Sequence, residues 1–268
     1  NMREWDAAGW QVLPGLATSK LGTRVLLLDE VDSTNRYLKE RAGQLPHGTV
    51  CCTDYQNAGR GRLGRTWTAP RAAALALSVL FREEGPAAQL PLLCGIAVAN
   101  ALEALTGASF AIKWPNDIVC SGRKVCGILC ESRPVQGGGL AVVAGIGVNL
   151  LQDGAWFAEA GLPFGGSVAM LTEKILSPWE TAAVVLNRLE PLWERCRAEG
   201  FGALEPAYTA RCISLGRQVR ALSPAGEVRL EGTAVGIGPD GSLLIDDGRQ
   251  VQAVAAGETS VRGFDGYI

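Results

Sequence analysis

Histidine is nearly absent from this 268-residue chain: His47 stands alone, in the turn "LPHGT". A Ser-His-Asp or Cys-His mechanism would rest entirely on that residue, and a loop histidine is usually just solvated. Charge excess of either sign is also missing. Lys plus Arg number 25 and Asp plus Glu 27, for a net charge of −2. That argues against general nucleic-acid binding, which leaves a strongly basic surface, but it permits a local basic site. No apolar run is long enough for a bilayer. The richest stretch, around Leu90 to Leu105, is broken by Pro91, Asn100 and Glu103 and reads as a buried helix. The N-terminal "NMREWDAAGW" lacks the apolar run of a signal peptide, so a cytoplasmic protein is expected. Zinc-finger spacing is absent from the eight cysteines. Cys51 and Cys52 are adjacent, Cys120, Cys126 and Cys130 form C-x5-C-x3-C, and Cys94, Cys196 and Cys212 are scattered. Most lie in apolar patterns such as "KVCGILC", where a reduced thiol behaves as a small hydrophobe.

What is present is an apolar content of 47% and enough length for one large core or a main domain plus a small one. "TRVLLLDEV" reads as a strand and "RYLKERA" as a helix that Asp32, Ser33 or Thr34 could cap. "GTVCCTDY" and "AALALSVLF" read as strands, followed by a long helix from about Ala87 to Leu105. "FAIKW" is a strand stopped by Pro115. "DIVCSGRKVCGILCES" predicts a hairpin turning at Ser121-Gly122, and "GLAVVAGIGVNL" a further strand. A capped helix is expected after Ser177-Pro178-Trp179-Glu180, with Val185, Leu186, Leu189, Leu192, Trp193 and Cys196 on one face. Pro191 is expected to bend it and Gly200 to end it. Beyond about Cys212, short β-like segments alternate with the turns "SPAGE", "GPDGS" and "DDGRQ". The expected class is α+β: a mixed or antiparallel central sheet with helices on one side, and a small C-terminal β-barrel or sandwich. The expected domains are residues 1–211 and 212–268.

"NAGRGRLGRTWTAP" contains Gly59, Gly61 and Gly64 as G-x-G-x-x-G. A dinucleotide fingerprint needs a helix directly after the glycines, and "RTWTAP" is a poor start for one. Glu83 and Glu84 do fall where a ribose-binding acid would be expected. Arg60, Arg62 and Arg65 favour another reading, a loop built to hold phosphate or carboxylate by paired, charge-assisted hydrogen bonds. Without an anion such a loop should repel itself and move; a solvated basic surface loop is the bland alternative. "KWPND" puts Lys113, Trp114, Asn116 and Asp117 at a strand end. It suits a nucleotide (amide to base, carboxylate to Mg²⁺, lysine to phosphate), or else packing for Trp114 and Pro115 with an exposed Lys113–Asp117 pair. Gly127 in "GRKVCGILCE" and Gly145 and Gly147 in "GIGVN" mark either close approach of a flat ligand or bulges.

"DSTN", "GRGRLGRTW", "KWPND", "RKVCGIL" and "GIGVN" occur in this order and at suitable separations. Together they resemble the biotin–protein ligases, from about Arg24 to the end of the chain; "GETSVRG" (Gly257 to Gly263) is similar to that family's usual ending. The resemblance implies a class II synthetase-like catalytic domain and an SH3-like C-terminal β-barrel. It implies that biotin's carboxylate attacks the α-phosphorus of ATP to give biotinyl-5′-adenylate, with Mg²⁺, before biotin passes to a lysine of a biotin carboxyl carrier protein domain. Ser33, Thr34 and Gln56 would hydrogen-bond the ureido ring, the backbone at Gly59, Arg60 and Gly127 would add further contacts to biotin, and the tail would run along Gly145 and Gly147. Lys124, Arg62 and Arg60 would be catalytic, with Lys124 bridging carboxylate and α-phosphate. Arg62, Arg65, Trp67, Lys113, Asn116 and Asn149 would hold ATP, with Trp67 covering the adenine, and Asp117 would hold the metal. The related lipoate ligases carry paired arginines before three glycines, and Gly137 to Gly139 lack them. Some family members add an N-terminal DNA-binding domain; the first motif here starts at Asp32, so no DNA binding is expected. Monomer and homodimer both remain open.

Overall fold

The computed structural model describes residues 12–82, 85–136, 139–257, 259–264 and 267–268, together with the backbone of 2–5. Glu83, Glu84, Gly137, Gly138 and Glu258 therefore lie outside the described residues. Strand β1 (Met2–Trp5) pairs antiparallel with β2 (Val25–Leu28). Helix α1 (Thr34–Glu40) follows, and the Ser33 hydroxyl caps it by accepting from the Arg36 N–H. The chain then returns as β3 (Val50–Thr53), parallel to β2, and turns into β4 (Ala74–Phe81). Helix α2 (Leu90–Thr106) ends at Gly107, whose φ of 74° supplies the left-handed cap. Next come β5 (Ala111–Lys113), β6 (Asp117–Cys120), β7 (Arg123–Pro134) and β8 (Leu140–Asn149). The β6–β7 hairpin turns at Ser121-Gly122, where φ is 47° and 75°, as the sequence predicts. Short helices α3 (Gly154–Glu159) and α4 (Val168–Thr172) lead to the long α5 (Pro178–Glu199) and to α6 (Glu205–Thr209).

The eight strands form one mixed sheet in the order β1-β2-β3-β4-β8-β7-β6-β5, with β2–β3 the parallel pair. All eight residues of β4 are buried, so both faces of its centre must be covered. One face carries Leu75, Leu77, Val79 and Phe81 in the main core, which also holds the buried residues of α2 and the Val185, Leu186, Leu189 and Trp193 stripe of α5. Each such side chain removed from water contributes about 1.5–3 kcal/mol. The opposite face carries Leu80 in a second cluster with Leu28, Cys51 and Val143, roofed by Leu38 of α1. The two long helices thus share a side, and short α1 alone covers part of the other. The remainder of that second face is free to be a site.

Three local expectations sharpen. Ser177 precedes α5 but its side chain caps nothing; its carbonyl accepts from Thr181 instead. Pro191 sits inside α5, which runs on to Gly200. The next residue back, Glu190, accepts the backbone N–H groups of Ser19, Lys20 and Leu21 and ties the N-terminal loop to the helix. The eight cysteines are free, seven of them buried.

The C-terminal strands β9 (Gln218–Leu222), β10 (Val228–Ile237), β11 (Leu243–Asp246), β12 (Val251–Val254) and β13 (Ser260–Gly263) form a five-stranded antiparallel sheet, order β12-β11-β10-β9-β13. Among the described residues no ladder joins β12 to β13; the five strands are consistent with the expected small SH3-like β-domain. It docks on the first sheet around the "KWPND" segment. Trp114 is buried, its indole N–H donates to the Gly241 carbonyl at 3.1 Å and its backbone N–H to Ser214 Oγ.

Candidate active site

The alternation of β8 sets the floor of the site. Gly145 and Gly147 point to the face opposite the main core, opposite Ser78 and Ala76 of β4. Across the next ladder Gly147 faces Gly127 of β7, which faces Asp117 of β6. A row of bare backbone therefore runs from the sheet centre to an acid. The absence of side chains is required rather than incidental. A Cβ on Gly147 would lie 2.5 Å from the Trp67 indole, and one on Gly145 would lie 2.3 Å from Asn35 Oδ1. Above this floor is a cavity of about 710 Å³, within the size range of small-molecule sites.

One end of the cavity is polar and uncharged. Gln56 Oε1 accepts from the Thr34 N–H at 2.9 Å and from its hydroxyl at 3.1 Å. The buried Ser78 hydroxyl lies 2.7 Å from both Thr34 Oγ1 and Asn35 Oδ1. Ser33 is buried beside them and lines the cavity as well as capping α1. The other end is cationic: Arg62, Arg65, Lys113, Lys124 and Arg262 gather there around Asp117, the only carboxylate among the described lining residues, while Arg60 lines the cavity nearer the polar end, paired with the Glu131 that Asn35 also holds.

The glycine-arginine loop is a hairpin. Trp67 N–H donates to the Gly59 carbonyl at 3.0 Å and Gly61 N–H to the Arg65 carbonyl at 2.7 Å, and Leu63 and Gly64 turn it at φ 55° and 74°. No helix follows, so it is not a dinucleotide fingerprint. Nor is it left self-repelling. Arg60 pairs with Glu131 at 2.9 Å, and Arg62 donates to Asn116 Oδ1 and to the carbonyls of Ala256 and Thr259 at 2.7–2.9 Å. Burial works against the charge of Glu131, but hydrogen bonds from Lys39 and Asn35 hold its carboxyl below the ordinary range. Arg65 is exposed over the cavity. Gly59 is buried behind the loop, where a Cβ would meet the Trp67 carbonyl at 2.3 Å, and is the one expected site glycine outside the lining.

The "KWPND" residues are not an exposed pair. Lys113 is 5% and Asp117 9% exposed. Asp117 Oδ1 lies 2.7 Å from Lys124 Nζ, and Oδ2 accepts from the Tyr267 hydroxyl at 2.5 Å. Burial raises the Asp117 pKa, yet Lys124 and Tyr267 together outweigh it and keep the carboxylate ionised. For Lys113 burial wins, and its pKa drops to about 7. Asn116 and Asn149 line the cavity with both ends of each amide engaged. Asn116 donates to the Ile128 carbonyl while accepting Arg62, and Asn149 donates to Gly166 while accepting Gln152.

Sequence reading missed Asn35, Ser78, Glu131, Phe164, Arg262 and Tyr267. Asn35 follows Thr34 directly, and Ser78 is the one polar residue of "ALALSVLF", so both had a signal. Phe164 and Tyr267 had none, because they meet only in three dimensions.

A floor of strand glycines thus lies between an amide-and-hydroxyl pocket and a cationic cluster, an arrangement that suits a ligand with an uncharged polar head and an anionic end. Residues 27–149 match the Biotin/lipoate A/B protein ligase family and residues 214–262 the Biotin protein ligase C terminal domain. The chain is 34% identical to a biotin–[acetyl-CoA-carboxylase] ligase of Paracoccus denitrificans, covering 88% of this chain and all of that one. It is 33% identical to the bifunctional ligase/repressor BirA of Escherichia coli over 91% of this chain and 76% of that protein. The biotin protein ligase of Aquifex aeolicus, solved with biotin and ATP, superposes with a TM-score of 0.77 at 31% identity, covering 89% and 98% of the two chains. This chain belongs to the biotin–protein ligase family. Among the described residues no helix is long and apolar enough to cross a membrane.

Proposed function

We propose that the protein activates biotin with ATP and transfers it to a lysine of a biotin carboxyl carrier protein domain. The observation that carries this is the polarity of the cavity: neutral hydrogen-bonding groups at one end, five cations gathered around Asp117 at the other, and bare backbone between. A ureido ring needs donors and acceptors without charge, and Ser33, Thr34 and Gln56 supply them. A flat ring and alkyl tail need close backbone approach, which Gly127, Gly145 and Gly147 allow. The tail then delivers its carboxylate to the cationic end, where an anion can meet a polyanion.

In the first step a carboxylate oxygen bonds to the α-phosphorus and the bond to pyrophosphate breaks. Catalysis of such a step is mostly positioning and charge neutralisation. Lys124 stands over Gly127, with Nζ within 3.3 Å of where a side chain there would begin, so it reaches the end of the tail. It bridges carboxylate and α-phosphate; Arg60, Arg62 and Arg65 close over the adenylate. Lys113 takes the phosphates, Trp67 covers adenine, and Asn116 and Asn149 read its edge once they exchange protein partners for base. In the second step the carrier amine attacks the acyl carbon, loses a proton, and AMP leaves with the electron pair. Mg²⁺ is commonly held by one or two carboxylates plus substrate phosphates. No cluster of three or more metal-binding side chains exists among the described residues. Asp117 fits the single-carboxylate arrangement and would hold the ion, which would neutralise phosphate charge. We assign most of this chemistry to a domain of residues 1–211, with Arg262 added to the cationic end by a C-terminal domain of residues 212–268.

Incubation with labelled biotin, ATP, Mg²⁺ and a carrier domain tests the assignment. Label is expected on the carrier and depends on ATP. A carrier labelled from lipoate and not from biotin, or no label with biotin bound, would refute it.

A further inference from the structure

One aromatic side chain of the cavity has no part in the scheme above. Tyr267 lies four residues beyond the end of β13. Its hydroxyl donates to Asp117 Oδ2 at 2.5 Å. Its ring sits 4.0 Å from Lys113 Nζ, and it stacks on Phe164 with centroids 5.5 Å apart and planes 18° off parallel. The three contacts span the cationic end from the strand side to the loop after α3.

Each contact occupies something a nucleotide needs. A phosphate oxygen must come within hydrogen-bonding distance of an ammonium to gain from it. The face of Lys113 Nζ that looks into the cavity is covered by a ring in cation–π contact, and the residue is only 5% exposed. Asp117 has Lys124 in an ion pair on one oxygen and the Tyr267 hydroxyl on the other. Phenol suits this place when no anion is bound: it covers a buried ammonium and satisfies a buried carboxylate without adding charge. The polar pocket of Ser33, Thr34 and Gln56 makes no contact with Tyr267. Tyr267 lies outside the β13–β9 ladder, which ends at Gly263, so displacing its side chain breaks no ladder hydrogen bond.

We propose that Tyr267 gates the nucleotide subsite: its phenol and the nucleotide's phosphates compete for the Lys113–Asp117 face, so ATP binds only by displacing it, while biotin binds with it in place. This rests on the reading of the cavity as an ATP-using ligase site. The gate therefore sets the KM for ATP and leaves that for biotin alone.

The test uses the full chain and two variants, Tyr267→Ala and Tyr267→Phe, each checked for an unchanged melting transition. Biotin-dependent exchange of labelled pyrophosphate into ATP gives both KM values. Calorimetric titration with a non-hydrolysable ATP analogue gives nucleotide affinity without turnover. Loss of one cation–π contact and one hydrogen bond to a carboxylate is expected to lower the KM for ATP about tenfold in Tyr267→Ala. Tyr267→Phe keeps the ring and shows a smaller fall. The analogue's Kd falls in parallel and the KM for biotin does not move. An ATP KM and analogue Kd that stay level or rise in Tyr267→Ala overturn the gate, as does an equal change for biotin. If the wild type binds the analogue but exchanges no pyrophosphate with biotin, the ligase reading fails while the titration still decides the gate. If it binds no nucleotide, both fail.

Discussion

Lys113 is placed where charge is costly, and removing it should stabilise the folded chain. An ammonium at 5% exposure whose pKa falls from the ordinary 10.4 to about 7 is disfavoured in the folded state. At about 1.4 kcal/mol per pH unit, a gap of roughly three and a half units corresponds to about 4–5 kcal/mol, to order of magnitude. Below pH 7 the lysine is charged in both folded and unfolded chains, so the full penalty is felt. As pH rises from 7 toward 10 the folded state sheds its proton first, the unfolded chain binds more protons, and stability recovers. Lys113→Met, which keeps the length of the side chain and drops the charge, should therefore be more stable than the wild type at pH 6. The gap should shrink steadily by pH 9.5. Urea denaturation of both proteins at a series of pH values reads this directly, because shared titrations cancel in the difference. The same variant should need more ATP to reach half-maximal rate. A variant no more stable than the wild type at pH 6, or a gap that ignores pH, would show that Lys113 is well solvated and the reasoning wrong.

Lys124→Ala should cut pyrophosphate exchange by about 100-fold or more while biotin still binds by calorimetry; normal exchange would remove Lys124 from the chemistry. Arg62→Gly gives up three hydrogen bonds to Asn116, Ala256 and Thr259. It should loosen the hairpin and release adenylate that labels bystander lysines; label confined to the carrier would contradict this. Gly147→Ala puts a methyl 2.5 Å from the Trp67 ring. Overpacking of about 1–3 kcal/mol is expected, and because it falls on the floor, activity should drop at least tenfold for a small fall in melting temperature. A large fall in both would place Trp67 in the fold rather than in the site.

The legible part of this protein is the part written in local patterns. The alternation in "GLAVVAGIGVNL" gives both the strand and the outward glycines, and Ser121-Gly122 announces its hairpin. The loop arginines declare an anion site by composition alone. What escaped reading depends on which residues meet across the chain. Arg62 lines the cavity as expected of a ligand-facing residue, but its hold on the carbonyls of Ala256 and Thr259, nearly two hundred positions away, could not be read. Asp117 sits across from Lys113 on one side and Gly127 on the other, and its carboxylate meets Lys124 Nζ, a partner the local "KWPND" pattern does not show. In the small C-terminal β-domain, which the turn texture does announce, the pairing of β9 with both β10 and β13 is what local pattern leaves unread. Glu83 and Glu84 fall outside the described residues.

The bare floor of the cavity has a consequence for how such a protein can change. A surface made of Gly127, Gly145 and Gly147 is already as low as a polypeptide can be, so no substitution there can make room; each can only take it away. Acceptance of a longer or thicker acid would have to arise on the roof or at the ends, from residues such as Trp67 or Phe164 that have bulk to lose. The direction of any drift in substrate size is thus set by which wall still has atoms to give up.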